Sequence, residues 1–169
     1  MSRRLRLGLA LALTAVFAAP ATAQQQMHGM DMDEVKSNAP FRPGLGDLMT
    51  ALVQPRHIKL GLAGAAQNWD YAAYELDELR ETFELVGKQI LKLGSLSIPQ
   101  TIAATVKQPM DALDTAIKAN DQAGFTKAYA DLTDACNACH KSADHAMIVI
   151  QVPAAGGAAF ADQNFNPPK

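Results

Sequence analysis

The chain has 169 residues, room for one domain, and a formal net charge of −2. It is 49% hydrophobic and only 6% aromatic, with Ala and Leu dominating and few β-branched runs, a balance that favours helices over sheets. There is no basic surplus to drive nucleic-acid binding, so that class of partner is excluded.

Taken in chain order, Arg3, Arg4 and Arg6 form a positive start. Leu7 to Ala19 follow as an apolar run, shorter than the ~18 residues a membrane span needs. Pro20 ends the run, and Ala21-Thr22-Ala23 puts small residues at the positions a signal peptidase reads before Gln24. Residues 1–23 therefore read as a secretory signal peptide. Cleavage removes three of the 15 basic residues and none of the 17 acidic ones, taking the charge from −2 to −5. The mature protein is expected to be periplasmic and without membrane attachment.

Residues 24–44 are polar, lack a helical period and end in Pro43-Gly44, the pattern of a disordered arm. The arm holds Met27, His28, Met30 and Met32. Three thioethers and an imidazole suit Cu(I), a soft ion, so these residues are copper candidates beside the reading as a plain linker.

Four helical patterns occupy residues 45–145. The first, Leu45 to Ala66, carries Met49, Leu52, Val53, His57, Leu60 and Gly64 on one face, with an interruption expected at Pro55. The second starts at Asn68 as N-cap and runs to about Leu93 before Gly94, with Trp69, Ala72, Leu76, Leu79, Phe83, Val86 and Ile90 as its stripe. The third starts near Ser97 with Pro99 in its first turn and Ile102, Val106, Met110, Leu113 and Ile117 as its stripe, and Pro109 is expected to kink it. The fourth follows Asn120-Asp121 with Phe125, Ala128, Tyr129, Leu132, Ala135, Cys136 and Cys139 in line. Amphipathic helices with short loops predict an all-α, antiparallel four-helix bundle, which can hold a cofactor between facing helices. Residues 146–169 form an extended tail.

The two cysteines both fall in Cys136-Asn137-Ala138-Cys139-His140. C-x-x-C-H is the attachment sequence of haem c. Two thiols at this spacing can add to the two vinyl groups on one porphyrin edge, and the next residue then places an imidazole on the iron. A thioredoxin-like pair would need a strand before a helix start. A zinc site would need a second ligand pair. Both cysteines continue the apolar stripe of the fourth helix, so one covalent haem is expected against the core.

An exported chain, four helical patterns and a C-terminal C-x-x-C-H together resemble the cytochrome c-prime superfamily over roughly Leu45 to His145. Gln54-Pro-Arg-His-Ile-Lys-Leu60, Asn68-Trp69 and Tyr74-Glu-Leu-Asp-Glu78 are similar to an exported subgroup ending in the same Cys-Asn-Ala-Cys-His. The resemblance implies Cys136 and Cys139 as covalent attachment points and His140 as proximal iron ligand. It also implies either one-electron transfer with a redox partner protein, or NO or CO binding at an open haem face, and often a homodimer. The chain departs from the superfamily in the 29 residues that follow His140.

The sixth iron ligand separates the two functions. The superfamily draws its distal residue from the first helix, where His57 is the candidate and Met49, on the same face, the alternative. A satisfied core histidine is the competing account of His57. A thioether would raise the reduction potential relative to an imidazole. Arg56 is a candidate partner for anionic haem propionates. Trp69 is expected either in the core or on the porphyrin. No nucleophile–base pair or phosphate loop points to a substrate-converting enzyme. A copper-handling role through the arm is a third reading.

Overall fold

The computed structural model describes residues 42–154. The expected signal peptide, the expected arm with Met27, His28, Met30 and Met32, and the tail beyond Ala154 lie outside the described residues. The described chain is all-α apart from one short two-stranded ladder, as composition predicted.

The first helical rod has three parts: α1 (Leu45–Leu48), a π-helical turn (Met49–Val53) and α2 (Gln54–Ala65). The backbone stays in the helical region across both junctions, and the Gln54 N–H reaches back to the Met49 carbonyl. Pro55 causes this. Its ring crowds the carbonyl four residues back and it brings no N–H, so the preceding turn widens instead of breaking. The extra residue rotates Leu52 out of the stripe to an exposed position.

Asn68 caps α3 (Trp69–Gln89), its side chain accepting from the Tyr71 N–H at 3.3 Å. The helix stops four residues short of the expected Leu93, because residues 92–97 form a hairpin instead. In it β1 (Lys92–Leu93) pairs antiparallel with β2 (Leu96–Ser97). Gly94, at φ 58°, makes the tight turn. α4 (Ile98–Lys118) follows with Pro99 in its first turn and continues as α-helix through a buried Pro109. Asp121 caps α5 (Gln122–Ser142), its Oδ1 accepting from the N–H groups of Ala123 and Gly124 at 3.1 and 3.0 Å.

α2 packs on α3, α3 on α4, α4 on α5, and α5 back on α2. Their facing stripes make one core around Leu60, Leu76, Leu79, Val86, Leu113 and Leu132. The stripe residues expected on α4 (Ile102, Val106, Met110, Leu113 and Ile117) are all buried. Glu75 is also buried, at 1% exposure, on the face that periodicity assigned to apolar groups. Arg56 and Glu78 bracket it in an ion-pair cluster, with Arg56–Glu75 at 3.2 Å and Arg56–Glu78 at 2.7 Å. Among the described residues no helix is long and apolar enough to cross a membrane.

α2 and α5 meet through glycine. A Cβ at Gly64 would overlap the Phe125 ring, and one at Gly61 would come within 2.6 Å of the Tyr129 ring and 2.8 Å of Pro153. Replacing Gly64 by Ala should therefore lower stability by about 1–3 kcal/mol, through overpacking against a ring that cannot retreat. Gly46→Ala, with nothing within 4 Å of the new Cβ, should be neutral or stabilising. Urea unfolding of the two variants checks the contrast.

Candidate functional site

α5 carries the C-x-x-C-H motif in its last two turns. Cys136, Cys139 and His140 stand at i, i+3 and i+4, and a helix brings those positions to one face. That face borders a cavity of about 610 Å³, within the usual range for small-molecule and cofactor sites. Cys136, Cys139 and His140 form one wall. Leu45, Met49, Val53 and His57 form another, from the first helical rod. Phe83, Ile98, Ile102 and Val106 supply apolar surface from α3 and α4.

Both cysteines are free thiols. Burial, reinforced by the neighbouring Cys139, pushes the Cys136 thiol up to about 12, and burial also raises that of Cys139. The motif sits near the helix C-terminus, whose partial negative charge opposes a thiolate. A redox-active C-x-x-C pair needs the opposite setting, a helix N-terminus that lowers the thiol pKa. Among the described residues no three His, Cys, Asp or Glu side chains gather as a metal-binding group.

His140 is oriented by the chain that follows it. Its Nδ1 lies 3.0 Å from the Ile148 carbonyl oxygen. A carbonyl only accepts, so the neutral ring carries its hydrogen on Nδ1 and keeps its lone pair on Nε2. A metal-binding histidine has this tautomer and this kind of second contact.

The return of the chain has a local cause. α5 ends in a Schellman turn, with Asp144 at φ 59°, the His145 N–H on the His140 carbonyl at 2.8 Å and the Asp144 N–H on the Lys141 carbonyl at 3.3 Å. Asp tolerates this left-handed conformation better than most residues. The chain then doubles back. Asn137 pairs with both backbone groups of Ile150, its Nδ2 donating to the carbonyl at 3.0 Å and its Oδ1 accepting from the N–H at 2.7 Å. Ile148, Val149 and Ile150 thereby become part of the cavity wall.

His57 reaches the cavity wall from α2 but is held on both ring nitrogens. Nδ1 is 3.0 Å from the Tyr129 hydroxyl and Nε2 is 3.1 Å from the Thr133 hydroxyl. The Tyr129 ring stacks on the imidazole at 4.7 Å, and its hydroxyl also lies 2.7 Å from the His57 carbonyl. The Thr133 hydroxyl likewise reaches a carbonyl, that of Tyr129, at 2.9 Å. Each hydroxyl has one hydrogen, so a neutral imidazole donates from one nitrogen to one hydroxyl oxygen and accepts on the other when the second hydroxyl turns its hydrogen from its carbonyl to the ring. Burial at 4% exposure favours that neutral form and pushes the His57 pKa down to about 4. This is the geometry of a satisfied core histidine. Met49, in the π turn, lines the cavity and is partly buried.

No family model, curated protein or solved structure matches this chain. The site therefore stands on its own geometry.

Of the residues singled out from sequence, Cys136, Cys139, His140, His57 and Met49 converge on the cavity. Arg56 is not among its lining residues; its guanidinium is engaged by Glu75 and Glu78 and lies 6.0 Å over the Tyr74 ring. Trp69, partly buried, packs edge-on against Phe125 at 5.9 Å at the margin of the core and does not line the cavity. Sequence reasoning missed the parts played by Tyr129 and Thr133, whose hydroxyls sit one turn apart on the stripe facing His57. It also missed Asn137, visible only as a spacer of the motif.

The depressed His57 pKa has a testable consequence. The unfolded histidine titrates near 6.5 and the folded one near 4, so between these values the unfolded chain binds the extra proton. Stability should rise with pH across that window. Acidification from above 6.5 to about 4 should remove up to about 3 kcal/mol. His57→Gln should lack this part of the slope in urea unfolding measured as a function of pH.

Proposed function

We propose that this protein is an exported, periplasmic c-type cytochrome of the cytochrome c-prime kind. In this reading the helices form an antiparallel four-helix bundle that holds one haem, attached through Cys136 and Cys139 with His140 on the iron, and passes single electrons to and from a redox partner protein. The observation that carries the proposal is the placement of two neutral thiols and an Nδ1-tethered imidazole on one helical face at an apolar cavity of about 610 Å³. The ring of contacts from α2 through α3, α4 and α5 back to α2 supports the bundle.

The residues fit the group. Each thiol adds its S–H across one vinyl double bond: a C–S bond forms, the hydrogen goes to the other vinyl carbon, and no oxidant is consumed. Protonated, buried thiols suit that addition, whereas a disulfide would block it. His140 offers its Nε2 lone pair because Nδ1–H is held by the Ile148 carbonyl. The apolar side chains of α3 and α4 give the cavity a hydrophobic wall. When bound, the haem supplies an Fe(III)/Fe(II) couple tuned by its axial ligands and its burial.

The state of His57 favours a second reading. With both ring nitrogens engaged by Tyr129 and Thr133, ligation by His57 would cost at least one hydrogen bond in the core, about 1 kcal/mol or more. Of the two candidates from the first helical rod, Met49 is then the one with a lone pair to offer. If it stays off the iron, the distal face is open to NO or CO.

Expression with a haem-attachment system, followed by visible spectra of the oxidised, reduced and CO-treated protein, tests these readings. Covalent haem that survives denaturing electrophoresis is expected, and Cys136→Ala with Cys139→Ala should abolish it. Sharp reduced bands indifferent to CO, lost in Met49→Ala and kept in His57→Gln, would identify an electron carrier with Met49 as sixth ligand. A high-spin spectrum that shifts with CO would identify the gas-binding form. No haem in the wild type would overturn the proposal.

A further inference from the structure

The segment after α5 is tied to the attachment motif by polar contacts more than by burial. Met147 is 78% exposed, Val149 65% and Val152 55%, so apolar burial does little to hold this stretch in place. The ties are the paired bonds between Asn137 and the backbone of Ile150, at 3.0 and 2.7 Å, and the 3.0 Å contact of His140 Nδ1 with the Ile148 carbonyl. Asn137 belongs to the C-x-x-C-H motif, yet thioether formation makes no use of its side chain. Its amide matches the donor and acceptor of a single residue, an arrangement that fixes register. With Ile150 in register, Ile148 presents its carbonyl to the imidazole two residues away.

We propose that residues 144–153 form a strap over the haem site on the side of His140, and that Asn137 is the positioning residue that holds the Ile148 carbonyl on His140 Nδ1. The proposal rests on the haem reading of Cys136, Cys139 and His140. An Nδ1–H held by a carbonyl makes the imidazole a more basic ligand, which stabilises Fe(III) over Fe(II) and lowers the reduction potential. Loss of the Asn137 amide lets the carbonyl leave, and water replaces it as a less ordered acceptor.

The test uses full-length, haem-loaded protein and two readouts: hydrogen exchange of residues 144–153 and the midpoint potential from spectroelectrochemistry. Asn137→Ala should speed exchange at Ile150 by about tenfold or more and move the midpoint upward. Ile150→Pro removes the N–H from the other partner, leaves Asn137 intact, and should speed exchange at the remaining strap amides, Ile148 and Val149 among them, and move the midpoint upward. Met147→Ala, at a strap position 78% exposed, should leave both at wild-type values. Unchanged exchange in Asn137→Ala would show that Asn137 is not the tie. Faster exchange with an unchanged midpoint would show that the strap does not act on His140. Failure of the haem reading itself would appear differently, as wild-type protein without covalent haem.

Discussion

The close approach of α2 to α5 is the contact on which the cavity and its surroundings depend. Gly61 and Gly64 leave room for the rings of Tyr129 and Phe125 to lie against the α2 backbone. That approach brings the Tyr129 hydroxyl within 2.7 Å of the His57 carbonyl and 3.0 Å of its ring, so one phenol both bridges the helices and orients the imidazole. Thr133, one turn later, takes the other ring nitrogen. The same glycines set where the chain after α5 can lie, since Pro153 also packs at Gly61. A side chain at either position would push the helices apart and disturb the core, the histidine and the strap together.

The electrostatics of the molecule are arranged around keeping charge away from the cavity. The thiols and His57 are held neutral by burial, and burial raises the Tyr129 hydroxyl above its ordinary value as well. Among the described residues Glu75 is a buried carboxyl group, and Arg56 pairs with it outside the cavity lining. Removing one partner of such a pair leaves an uncompensated buried charge, which is why Arg56 is committed there and is not at the disposal of an anionic ligand. Under the proposed function, an apolar cavity with neutral walls suits a large flat cofactor, and it amplifies each of the few polar contacts that remain.

The tail gives the proposed haem site its individual character. A bundle ending soon after the histidine would leave the His140 imidazole facing solvent on its outer nitrogen. Here a left-handed Asp144 closes α5 with a Schellman turn and sends the chain back. Two side chains of the motif itself, Asn137 and His140, then receive the returning backbone. The C-x-x-C-H motif thus organises its own second layer of contacts.

Sequence alone determined whatever depends on local periodicity and local chemistry. The stripes of Trp69–Ile90 and Ile102–Ile117, the caps Asn68 and Asp121, and the placement of Cys136, Cys139 and His140 on one helical face all follow from spacing within one element. Short-range competition set the exact ends: Pro55 became a π turn rather than a break, and Gly94 drew residues 92–97 into a hairpin that α3 had been expected to enter. Only the tertiary structure decided the partners of groups distant in the chain. Arg56 and Glu75 are 19 residues apart, and His57 lies 76 residues from Thr133. Periodicity placed His57 on the inner face, but which hydroxyls waited there depended on how α2 packs on α5. The role of Asn137 was hidden for the same reason: its partner is the backbone of Ile150, and backbone groups are identical in every sequence until the fold selects one.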